Sequence, residues 1–112
     1  MQASKVFVVQ ENPGLDYTDA ERFGDIRFIT NQEFSSVSGS LNNKDILADV
    51  VYALASFNPK VDYLLMTGNP ITIGYAFHRA MLRAISVAGD GSPALYLLRW
   101  DGFSRTYKAV QF

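Results

Sequence analysis

Apolar positions along the chain alternate between short continuous runs and helical spacing, and the breaks between them are rich in Gly, Pro, Asn and Asp. Lys5–Gln10 (KVFVVQ) is β-branched and apolar on both faces, as expected of a strand in a sheet covered on two sides. Glu11-Asn12-Pro13-Gly14 stops it. Thr18-Asp19-Ala20-Glu21 has capping-box spacing, which predicts a short helical turn ending at Gly24. Asp25–Thr30 (DIRFIT) reads as a second strand with Arg27 pointing outward, and the Ser-rich stretch 33–40 has no period and reads as a mobile loop. Over 42–57, Leu47, Val50, Val51 and Leu54 fall at i, i+3, i+4 and i+7, the stripe of an amphipathic helix capped by Asn42 or Asn43 and ended by Asn58-Pro59.

Val61–Thr67 (VDYLLMT) predicts a third strand. Pro70–Val87 predicts a second helix, apolar nearly all round, with Thr72, Arg79, Arg83 and Ser86 as its polar stripe. A helix of that composition is expected to be covered on most sides, by the sheet and by a neighbour or second subunit. After a loop at 89–93, Ala94–Trp100 predicts a fourth strand, Asp101-Gly102 a hairpin, and Tyr107–Phe112 the returning strand. Strand–helix–strand units pair in parallel with right-handed crossovers. The order therefore predicts a single α/β domain over residues 1–112, small and Rossmann-like. Its sheet is mainly parallel, of about five strands, with two main helices and a C-terminal antiparallel hairpin.

Composition changes this picture little. A chain of 112 residues should bury roughly two-thirds of its unfolded surface, enough for a core without staples. There is no Cys, which removes disulfides and thiolate metal sites. No apolar window approaches the ~20 residues of a membrane span, so a cytoplasmic protein with no membrane partner is expected. The net charge of -1 argues against strong non-specific nucleic-acid binding. Residues 1–59 carry eight acids and four bases, and residues 60–112 three acids and six bases, which leaves room for a local basic patch.

The break at Thr67-Gly68-Asn69-Pro70 is where chemistry would sit. Gly68 should lie just beyond the carboxyl end of a parallel strand, with Asn69 as N-cap and Pro70 at the first helical position. Ligands of open α/β sheets bind at such strand ends, and helix N-termini favour anions. One reading is a phosphate or carboxylate site built from Gly68, Asn69 and the Ile71 and Thr72 amides; the other is an ordinary strand-to-helix joint. Neither a dinucleotide fingerprint nor a Walker loop is present. Parallel pairing would bring Glu11, Asn12, Thr67, Gly68, Asn69, Thr72 and Asp101 towards one edge as ligand-binding candidates, although Asn and Asp also serve turns. No catalytic residue, metal ligand or cofactor is assigned. His78, the single histidine, stands in the apolar second helix without triad or metal partners and reads as structural. Arg79, Arg83, Arg99 and Arg105 are candidates for a basic patch, and aromatics interleaved with bases in the C-terminal hairpin suit single-strand stacking or the sheet itself.

Several blocks share a pattern. Phe7-Val8-Val9-Gln10 with Asp16, Ala20 and Phe23-Gly24, then Asp62-Tyr63-Leu64-Leu65 with Gly68-Asn69-Pro70, then Leu97-Leu98-Arg99-Trp100-Asp101 with Tyr107, resemble a set of small uncharacterised proteins encoded by tailed bacteriophages. The likeness spans most of the chain. In that group the middle block often reads Gly-Asp-Pro, whereas position 69 here is Asn, so no carboxylate stands there. The resemblance implies a viral protein in the host cytoplasm and brings no established activity.

Three functions follow in order. The first is a non-enzymatic phage accessory protein that binds another protein or itself, as a homodimer. The second is a nucleotide or phosphate binder, or a hydrolase, using the strand-end site at Gly68-Asn69-Pro70. The third is single-stranded nucleic-acid binding through the C-terminal hairpin.

Overall fold

A computed structural model describes residues 3–111. Its five strands are β1 (Lys5–Gln10), β2 (Asp25–Thr30), β3 (Tyr63–Leu65), β4 (Tyr96–Asp101) and β5 (Thr106–Gln111), and its two long helices are α1 (Leu41–Leu54) and α2 (Pro70–Ala88). The sheet order is β2-β1-β3-β4-β5. The first three pairings are parallel and β4–β5 is antiparallel. This is the α/β domain that the sequence predicts.

Handedness decides where the helices go. The crossovers β2–α1–β3 and β3–α2–β4 both move the chain in one direction along the sheet, so right-handed connections place both helices on the same face. There Val50 and Leu54 of α1 and Ala76, Ala80 and Ala84 of α2 close over Phe7, Val9, Ile29, Leu64 and Leu95. Phe57, wholly buried, sets its ring edge-on to Phe7 at 5.5 Å. The step from β1 to β2 runs the opposite way, so its connection lies on the other face. That connection is a 3-10 turn, Thr18–Phe23, which buries Ala20 against Val6, Val8, Leu65, Leu98 and Tyr107. So short an element covers little sheet, and aromatic rings complete the layer. Phe23 leans on Tyr63 (5.2 Å), Tyr63 on Tyr96 (5.8 Å), and Trp100 meets Tyr107 edge-on at 5.0 Å. Both faces of β1 are thereby dry, which accounts for its uninterrupted apolar sequence.

Several local expectations are corrected. The 18–21 segment is not a capping box: the Thr18 hydroxyl donates to Asp16 at 2.6 Å, and the turn has no side-chain cap. The same Asp16 oxygen also accepts the Thr18 N–H at 2.9 Å, so the start of the turn is met from Asp16 and not from Thr18. The cap of α1 is Ser40, whose hydroxyl accepts from the Asn43 N–H, and not Asn42 or Asn43. Asn43 is buried instead and holds both backbone groups of Ser35, at 2.7 and 2.8 Å, while Asn42 reaches the Glu33 carbonyl. The 33–40 loop is therefore stitched to α1 rather than free of it. The inward row of α1 is Asn43, Ile46, Val50 and Leu54, which turns Val51 outward. In α2, Thr72 leaves the expected polar stripe and is wholly buried at the head of the row Ala76, Ala80, Ala84. β3 keeps three residues of the seven expected. Phe112, the last residue assigned to the returning strand, lies outside the described residues.

Asp62 ties the strand origins together. Its carboxylate, 2% exposed, accepts the Lys5 N–H at 3.0 Å and the Asn58 N–H at 2.8 Å, linking β1 to the loop that enters β3. Asp62→Ala removes the acceptor of two part-buried N–H groups and should destabilise the fold by roughly 2–4 kcal/mol, with Asp62→Asn losing less because one acceptor oxygen stays. Urea unfolding of the two variants beside the parent checks this.

Candidate functional site

From β1 the chain order proceeds to β2 on one side and β3 on the other. The carboxyl ends of these neighbours therefore flank the topological switch point, where open α/β sheets hold ligands. Here the crevice is filled from within. The Gln10 N–H donates to the Thr67 carbonyl at 3.1 Å. The Gln10 side chain then crosses beneath Gly68, and its amide oxygen accepts the Asn69 N–H at 2.9 Å. Gly68 has φ +122, and a Cβ there would come within 2.5 Å of both Cβ and Oε1 of Gln10. Only a residue without a side chain allows that approach. Gln10, the last residue of β1, is the floor of the site.

Asn69 caps α2 as expected, its side chain accepting from the Ile71 N–H at 2.9 Å, with Pro70 in the first turn. The cap thus takes one of the two amides proposed for anion binding. Thr72 is fully buried, and its hydroxyl has no partner among the described residues.

The open space lies beside this floor, not on it. A cavity of about 530 Å³ is lined by Ser35, Ser40, Lys44, Leu47, Asn69 and Ile71, among others. It is bounded by the 33–40 loop and by the starts of both helices. The positive ends of two helix dipoles and the Lys44 ammonium give it a field that favours negative charge. Ser40 and Lys44 were not singled out from the sequence. Gly39-Ser40 ahead of the α1 stripe was the available signal, obscured by Asn42-Asn43.

The remaining candidates are distributed around this edge. Thr67 also lines an apolar slot of about 350 Å³ with Leu15, Leu97, Arg99 and Trp100. Glu11 donates its N–H to the Thr30 carbonyl, and Asn12 forms an Asx turn by accepting from Gly14 at 2.9 Å. Asp101 serves the hairpin: it accepts the Phe103 N–H at 3.0 Å and pairs with the Lys108 ammonium at 2.7 Å. Those contacts hold its carboxyl down from 3.8 to about 2, the Lys108 hydrogen bond contributing most. Among the described residues no three His, Cys, Asp or Glu side chains are grouped to hold a metal ion. Of the four arginines expected as a basic patch, Arg79 and Arg83 line the groove between α1 and α2, where Arg83 donates to the Phe57 carbonyl at 3.2 Å. Arg99 lies on β4, and Arg105 holds the positive-φ corner of the hairpin loop. The loop runs from Gly102 to Arg105, longer than a two-residue turn, and leaves Phe103 fully exposed.

A family model described as Phage Pam3 gp32-like protein matches residues 4–112. The chain belongs to that family. The phage family that the Phe7–Gln10, Gly68–Pro70 and Leu97–Asp101 blocks imply is thus shown, and the family description states no activity. No curated protein and no solved structure matches the chain. Among the described residues of this gp32-like protein, no helix is long and apolar enough to cross a membrane.

Two measurements test the local geometry. Gly68→Ala should lower the melting temperature, from about 1–3 kcal/mol of backbone strain plus the clash with Gln10 Cβ, which shortening Gln10 to Ala does not relieve. The Asp101 carboxyl should titrate near 2 by NMR and move up towards 3.8 in Lys108→Ala. Because its folded value is depressed, the support it gives the hairpin is present above about pH 4 and fades as pH falls towards 2.

Proposed function

We propose that this gp32-like chain is a non-enzymatic phage accessory protein that works in the host cytoplasm by binding another protein through the outer face of its helix layer. The observation that carries this reading is the composition of that face. Ile71, Leu82 and Ile85 of α2 are exposed, as is Val51 of α1. A helix layer that ends in solvent normally turns charge outward. Here the groove between the helices combines Val51 and Leu82 with Arg79, Arg83 and Ser86. Apolar anchors beside a pair of guanidiniums suit an amphipathic helix with acidic flanks. Leu82→Lys with Ile85→Lys should leave stability within about 0.5 kcal/mol, as surface changes do. The pair should abolish recovery of a partner from infected cells. A partner retained equally well by the double variant, or a parent that recovers none, counts against the reading.

A second reading rests on the cavity between the two helix starts: a small phosphate-bearing molecule held by Lys44 and the capped first turns. Phosphate or a nucleotide at a hundred times its dissociation constant should add about 2.7 kcal/mol of stability. Lys44→Ala should remove most of that shift. No shift with any phosphate compound tried dismisses the site.

A further inference from the structure

The two ends of the sheet are finished differently. At β5 the backbone of Tyr107 turns away from β4 and is fully engaged: its N–H donates to the Asp19 carboxylate at 2.6 Å, and its carbonyl accepts from the Arg22 guanidinium. Asp19 and Arg22 are themselves paired at 3.3 Å. Side chains thus close this edge at Tyr107, where a further strand would otherwise begin to pair.

At β2 the Asp25 N–H donates inward, to the Ser4 carbonyl at 3.1 Å. Alternation then turns the backbone of Ile26 and Phe28 outward. The Ile26 carbonyl confirms this direction, since it is met by the guanidinium of its own neighbour Arg27, at 3.1 Å. The flank of this edge is only partly covered, with Tyr17 edge-on to Phe28 at 5.5 Å. Phe28 is 44% exposed, and a cavity of about 560 Å³ opens between β2 and α1, lined by Phe7, Arg27, Ile29, Asp49 and Tyr52 among others.

We propose that the chain forms a twofold homodimer by antiparallel pairing of β2 with β2 of a second copy, centred on Ile26. Charge selects both the occupant and the register. Three centres keep the outward backbone groups in bonding positions. Centring on Arg27 sets two guanidiniums face to face. Centring on Phe28 leaves Arg27 opposite Ile29 and carries Asp25 past the strand end. Centring on Ile26 puts Asp25 opposite the partner's Arg27, twice by symmetry, on the same face of the sheet, where opposite charges stabilise the pair. The strand is thus complementary to itself in one register. Arg27 leaves the Ile26 carbonyl for the partner's carboxylate, and that carbonyl takes the partner's Ile26 N–H. The twofold axis runs through the sheet, so both helix layers stay on one side and Tyr52 faces the seam beside the open cavity. The pairing specifies self-association within the protein-binding reading above, through a different surface.

The chain has no Cys, which makes single-cysteine crosslinking clean. Hydrogen-bonded antiparallel partners lie about 5.5 Å apart at Cα, within the roughly 4.4–6.8 Å that a disulfide spans. Ile26→Cys should therefore crosslink two copies under mild oxidation at least tenfold faster than Phe28→Cys or, on the far edge, Val110→Cys. In sedimentation equilibrium the parent should be a dimer. Arg27→Glu and Asp25→Lys should each be monomeric and still melt cooperatively, without the concentration dependence that dimerisation gives the parent's melting temperature, and the combined Asp25→Lys, Arg27→Glu chain should dimerise again. A monomeric parent, equal crosslinking at the three cysteines, or a double variant that stays monomeric overturns the proposal. A monomeric parent that still loses its partner through Leu82→Lys with Ile85→Lys overturns the edge pairing alone.

Discussion

The constraint on which this fold depends is the handedness of its crossovers. Two of them travel the same way along the sheet and one travels back, so both long helices fall on one face and the opposite face receives a six-residue turn. From that asymmetry follow the ring-covered back of the sheet, the helix layer with its exposed outer face, and the location of the switch point between β1 and β3. A doubly covered sheet would have needed a full helix between β1 and β2. The fourteen residues from Glu11 to Gly24 spend much of their length on the Asn12 and Asp16 turns instead.

At the switch point the protein supplies its own occupant. Gln10 offers an amide where other sheets of this order leave room, and Gly68 makes the approach sterically permissible. The contact joins the end of β1 to the start of α2 through the Asn69 N–H, so the orientation of α2 is set from the sheet and not from its packing alone. It also moves usable space sideways, to the cavity between the two helix starts. The same geometry that makes such edges attractive for ligands is here partly used for stability.

Much of the fold was readable in the sequence because its strongest signals were periodic or sterically specific. The run KVFVVQ, the Asn69-Pro70 start and the extent of α2 carried their structure locally. What escaped was tertiary. The Gln10 contact depends on a residue 58 positions away in the chain, and nothing in either local pattern advertises it. The phase of α1 was misread because Asn43, polar and read as a cap, faces inward to hold Ser35. Of the candidate residues, Asn69 and Thr67 stand at cavities, whereas Asp101 is committed to its hairpin. Asp and Asn at strand ends satisfy turns and ligands with the same atoms, so residue type alone does not separate the two uses.

The row Thr72, Ala76, Ala80, Ala84 explains why the outer face of α2 is apolar. Small side chains on the inner row let the helix axis approach the sheet closely, with Thr72 as its most confined member. A helix whose large apolar residues were needed for the core would carry them on that row. Here Ile71, Leu82 and Ile85 are carried on the far side, where the core cannot use them. Full burial of such side chains stabilises by about 1.5–3 kcal/mol each, and half exposed as they stand they give the fold only part of that. That composition of the outer face is what the proposed partner binding rests on.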